Sequence, residues 1–234
     1  MKKILITLTI FILVFTVTGC GNKKNDNSSA LEFKEEYESL NGKMARFKKE
    51  HRTLSIPEDN PYIKVTPSEI LEKINNKESF YLYVGDSLCP WCRSVIEQSI
   101  KTAKDYGVEK IYYIDFWDED NNEILRDVYE LVDGKIVKTK EETEEYKKLL
   151  ELCGDSLGLR NYTVEDADGN EVVVNDKRFY GPSFFSIKNG RFDKYTDGRS
   201  SKQYSPLDEL TEEILKDEDE LLGELFTEVC DEAC

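Results

Sequence analysis

Histidine occurs once in this 234-residue chain, at His51, and no nucleophile lies near it in sequence. Histidine-based catalysis is therefore set aside, and His51 reads as a partly exposed residue on a helix face. Basic residues are also scarce: 32 against 48 acidic ones, a net charge of −16. A surface of that sign argues against nucleic acid as a partner, because phosphate binding needs a basic face. It equally disfavours broad contact with anionic lipid, and its plainest consequence is a well-solvated exterior. There is no internal repeat. Cysteine is limited to six positions, 20, 89, 92, 153, 230 and 234, so any cluster of them carries information.

Hydrophobic residues make up 39% of the chain, enough for a core. The long apolar run is N-terminal. Lys2 and Lys3 precede Ile4 to Val17, the layout of a secretory signal, too short for a stable membrane span. The run ends Val17-Thr18-Gly19-Cys20, which resembles a bacterial lipobox. That resemblance implies cleavage after residue 19, lipidation of Cys20 and a mature charge of −18. The polar stretch behind it reads as a flexible tether over 20–30. The remainder is then expected to work on the extracytoplasmic face of the membrane, where disulfides persist.

Downstream, Phe33, Tyr37, Leu40, Met44 and Phe47 recur at helical spacing, continued by His51 and Leu54, which predicts a helical arm over 31–56. Thr66, Pro67 and Glu69 spell a capping box at a helix start. "SFYLYVG" (79–85) and "KIYYIDF" (110–116) read as buried strands. Between them a helix presents Cys92, Val95, Ile96, Ser99, Ile100, Ala103 and Tyr106 on one face, with Arg93, Glu97, Lys101 and Lys104 opposite. Residues 79–116 thus form a βαβ unit with parallel strands. Helical patterns are expected near 121–132 and 141–152, then hairpins at "YTVEDADGNEVVV" and "SFFSIKNGRFDKYT". The acidic tail from Pro206 is predicted helical, with Leu207, Leu210, Ile214, Leu221, Leu222, Leu225, Phe226 and Val229 as its buried face.

Cys89-Pro90-Trp91-Cys92 sits where the first strand of that unit meets its helix. The helix N-terminus favours an anion at Cys89. Pro90 suits the first helical turn, and two cysteines one turn apart can close a readily reduced disulfide. Zinc is the rival reading. It needs about four ligands, and the only other close pair is Cys230 with Cys234. A purely structural bridge is the third. Cys153, at the end of an apolar helix face, reads as buried filler.

The strand, the CPWC, the following helix and strand, and then "YGPSFFSIKNGRFDKY" resemble the thioredoxin family over about residues 60–200. The lipobox and "CPWCR" are similar to thioredoxin-like lipoproteins of Gram-positive bacteria, some named bacteriocin-transport accessory proteins. The resemblance implies an α/β fold with a central mixed sheet flanked by helices. It divides the chain into a signal (1–19), tether (20–30), helical arm (31–56), thioredoxin-like domain (57–200, insertion about 118–178) and acidic C-terminal helix with a CxxxC (201–234). It implies a cis-proline at Pro182, after Gly181, lying against the dithiol. It also implies a thiol-disulfide oxidoreductase without cofactor or metal. Cys89 attacks, Cys92 resolves, and Trp91, Gly181 and Pro182 contact the partner. Partners would be protein thiols and disulfides, with a membrane electron donor as a further candidate and the membrane reached through a lipid anchor.

This sequence also departs from the family. Leu88 stands before Cys89, Trp91 replaces the histidine of strongly oxidising relatives, and the family's buried acid falls at Tyr83. No carboxylate is expected on that strand to take the proton from Cys92, and Asp86 falls in the turn. Reductase, isomerase and oxidase directions all stay open. The alternative function is a non-catalytic accessory lipoprotein that uses the same fold to hold a partner. The spacing of Cys230 and Cys234 also fits a shuttle disulfide serving the CPWC.

Overall fold

The computed structural model describes residues 26–45, 48–118, 120, 122–154 and 158–227. Elements run α1 (Asp26–Glu38), β1 (Tyr62–Lys64), α2 (Pro67–Asn75), β2 (Phe80–Gly85), α3 (Pro90–Asp105), β3 (Ile111–Asp115), β4 (Val128–Val132) and β5 (Lys135–Lys140). They continue with α4 (Glu144–Cys153), β6 (Arg160–Glu165), β7 (Glu171–Arg178), β8 (Ser183–Lys188), β9 (Arg191–Thr196) and α5 (Glu212–Phe226). Five strands form a mixed sheet in the order β1-β3-β2-β8-β9. β1 and β2 flank β3 in parallel, as the expected βαβ unit requires. β8 pairs antiparallel with β2, and β9 with β8.

Helices cover both faces, so β2 is buried along its whole length. The pleat then divides its residues between two cores. Tyr81 and Tyr83 join Phe33 and Tyr37 of α1, Val95 and Ile96 of α3, and Leu222 and Phe226 of α5. Phe80, Leu82 and Val84 join Ile70 and Ile74 of α2, Tyr146 and Leu149 of α4, and Phe185. The capping box at Thr66 and Glu69 is formed. The hairpins β6–β7 and β8–β9 lie where the sequence places them.

Three expectations are corrected. Residues 26–30, expected as tether, are not one, because α1 starts at Asp26 and buries Ser29 and Ala30. The Ala30 carbonyl accepts a 2.8 Å hydrogen bond from Asn60, which holds that first turn down. The arm is not one helix through Leu54. α1 stops at Glu38, and Gly42 adopts φ +72°, the left-handed geometry that glycine tolerates. The chain then folds back through a Met44–Glu50 bridge, leaving Met44 exposed and His51 buried rather than partly exposed. Phe47 lies outside the described residues. Finally, the segment expected to be helical near 121–132 supplies β4. Asp133 and Gly134, at φ +50° and +74°, make the tight turn into β5, and this Asp-Gly turn overrides the weak helical periodicity before it.

Candidate functional site

β2 ends at Gly85, and a short turn delivers Cys89 to the N-cap of α3. The Cys89 sulfur accepts the Cys92 backbone N–H at 3.4 Å, an unpaired donor of the first helical turn. Its own S–H points at the Gly181 carbonyl, also at 3.4 Å. Both sulfurs are thiols here. Cys89 is half-buried and Cys92 fully buried. Burial, with the neighbouring Cys89 and Asp86, pushes the Cys92 thiol well up, while the Tyr83 hydroxyl opposes the rise.

The Gly181–Pro182 bond is cis, and Pro182 is buried at the start of β8. Glycine at 181 is dictated by space. A Cβ there would stand 2.5 Å from the Cys92 sulfur and 2.9 Å from the Gly85 Cα. Trp91 is half-buried, with the Arg199 guanidinium 4.7 Å above its ring. Cys89, Trp91, Cys92, Gly181 and Pro182 thus belong to one locality.

The absence of a carboxylate beside Cys92 is corrected. Asp86 is 8% exposed, and its carboxyl oxygen and the two sulfurs all lie within 4.8 Å of one another. Burial and the charge of Asp115 raise Asp86 to about 6, against the pull of Arg126 and the Cys89 and Leu88 amides. The turn therefore delivers an acid that the strand does not carry. Asp86, Cys89 and Cys92 also form the one cluster among the described residues that could hold a metal ion. They are one ligand short of a closed thiolate zinc site.

Arg93 is corrected too. Periodicity assigns it to the polar face of α3, yet it is fully buried. Its guanidinium donates to the carbonyls of Tyr37 (2.7 Å), Arg52 (2.6 Å) and Ser87 (3.3 Å), and to Asn41 Oδ1 (2.9 Å). The residue beside the dithiol thus ties the arm to the turn that carries Cys89. Helical periodicity carries no trace of this, because the arm that covers this face of α3 lies some 40 residues away in sequence. Cys153, the last residue of α4, is buried on that helix's apolar face, its thiol pushed up to about 12 by that burial. Cys20, Cys230 and Cys234 lie outside the described residues. No helix among the described residues is long and apolar enough to cross a membrane.

No protein-family model matches this chain, and no curated protein does.

Proposed function

We propose that the protein is a thioredoxin-like thiol-disulfide oxidoreductase acting through Cys89 and Cys92. One observation carries this reading. A half-buried sulfur caps a helix, a buried one stands a turn behind it, and a buried carboxyl lies within 4.8 Å of both. The mixed sheet between helices and the Gly181–Pro182 strand beside the thiols add support. In the forward sense, the Cys89 thiolate attacks a substrate disulfide. A mixed disulfide forms, and one substrate sulfur leaves as a thiolate and is protonated. Asp86 accepts the Cys92 proton. The Cys92 thiolate then attacks the Cys89 sulfur, releasing the second substrate thiolate. Two electrons pass to the substrate, and a Cys89–Cys92 disulfide remains. The reverse sequence oxidises a dithiol. The backbone at Gly181 and Pro182 and the Trp91 ring receive the partner.

Cys92→Ser is expected to accumulate mixed disulfides with protein partners through Cys89, and Cys89→Ser to accumulate none. Non-reducing electrophoresis reads the difference. Trapping by neither variant, with no turnover of a model disulfide by the native protein, defeats the proposal. The setting is proposed as the outer face of a membrane, anchored at Cys20. Cys20→Ala should then leave no lipid on the mature chain, and a variant that still partitions into detergent after signal removal would refute the anchor.

A further inference from the structure

The insertion adds a cleft of about 580 Å³ that the exchange chemistry does not use. It is walled by Trp117, Tyr162 and Tyr180, with Arg126, Arg178 and Lys140 set among them. Glu123 is the one carboxylate in the lining and Asp127 lies buried behind Arg178, so three cations meet two anions in a chain of net charge −16. The Arg126 guanidinium lies 3.7 Å from the Phe116 ring centroid, and that of Arg178 3.7 Å from the Tyr162 ring centroid. Aromatic stacking fixes both forks in place. Arg126 pairs with Glu123. Arg178, 5% exposed at its side chain, donates one N–H to the Asp127 carbonyl at 2.8 Å, while its Nε faces the Asp127 carboxylate and its other end the Glu123 carboxylate, each at 4.0 Å and outside hydrogen-bonding distance. Where the Arg178 fork reaches the cleft wall, a bound carboxylate would add a charge-assisted partner to a guanidinium that has few close ones.

Tyr180 joins the cleft to the redox site. It forms part of the wall and directly precedes Gly181, whose carbonyl faces the Cys89 sulfur. A polypeptide extended along Gly181 would therefore pass into the cleft within a few residues. We infer that this cleft binds a carboxylate-bearing segment of the protein substrate, an acidic residue beside an apolar one, close in sequence to the cysteine that Cys89 attacks. The carboxylate meets Arg178 and Lys140, and the apolar neighbour lies on Trp117 and Tyr162. The assignment rests on the dithiol reading for its occupant, and on the cleft's own chemistry for the class of group bound.

The two parts separate experimentally. Cysteine-free peptides carrying Asp-Leu or Asn-Leu are titrated into Trp91→Phe protein, in which Trp117 is the sole tryptophan and reports on the cleft. The Asp peptide is expected to bind about tenfold more tightly. Arg178→Gln should abolish that preference. Lys140→Gln, at the rim, should reduce it and serves if the buried substitution fails to fold by circular dichroism. Equal binding of the two peptides, a preference that survives in folded variants, or inorganic phosphate competing as strongly as the peptide would each overturn the assignment. In a second arm, disulfide-linked peptides with Asp or Asn near the cysteine are turned over, and kcat/KM should favour Asp by a similar factor. A binding preference with no turnover at all overturns the dithiol reading and leaves the anion cleft standing. Turnover without any Asp preference does the reverse.

Discussion

Asp86 shows how far one carboxyl's burial sets two properties at once. Raised to about 6, it is ionised above that pH and, in the proposed exchange, takes the proton from Cys92. Resolution of the mixed disulfide should therefore accelerate as pH rises through 6. Asp86→Asn should slow it about a hundredfold, within the usual range for a positioned base, and erase that inflection. Stopped-flow measurement between pH 5 and 8 on a preformed mixed disulfide is the check, and an unaltered profile would remove Asp86 from the mechanism. The stability effect runs the other way. A folded-state value above the ordinary carboxylate range means stability present at low pH and lost as pH rises through 6. Asp86→Asn should thus be slower yet more heat-resistant at pH 7. The CPWC and the Gly-Pro strand are legible in sequence because each is local and made of residue types that only a few backbone geometries demand. Asp86 is visible there without a role. Its approach to the sulfurs depends on the path of a short turn and on the space shared by Gly85, at the end of β2, and Gly181, just before β8.

Among the elements, β2, α3 and β3 are readable because aromatic and β-branched runs bracket a clean helical repeat. The arm and the insertion are not. Arg93 explains the first failure. A charged side chain on a helix normally marks solvent, but here neutral oxygens from Tyr37, Asn41, Arg52 and Ser87 replace water. Strands β4 and β5 explain the second. They form a two-stranded sheet of their own, with alternate residues of β5 exposed, so little apolar patterning announces them. Arg93→Met should cost about 3 kcal/mol, since it leaves several buried acceptors without a donor. Urea unfolding measures that loss. Limited proteolysis should find new cuts in residues 39–58 of the variant, whereas cuts elsewhere would mean that the arm does not depend on this side chain.

At the scale of the whole molecule, the N-terminal arm and the C-terminal segment close over the same side of the sheet as α3. Arg52 joins them, donating to the Pro206 and Asp208 carbonyls. Beneath lies Glu218, fully buried, with neither carboxylate oxygen hydrogen-bonded. Burial is the main reason that it rises to about 8, with Arg52 pulling the other way. Raised above its unfolded value, Glu218 favours the fold at low pH, and that contribution disappears as pH climbs through 8. Glu218→Gln is expected to raise the thermal midpoint by several degrees at pH 8.5 and to change nothing near pH 4. Equal midpoints at both pH values would show that the carboxylate finds water or a cation. The start of α1 has a consequence of another kind. Only six residue steps separate Cys20 from Asp26, a reach of about 20 Å at full extension. If lipid holds Cys20, as proposed, the start of α1 stays within that reach of the bilayer, and any partner must come to the membrane surface to meet it.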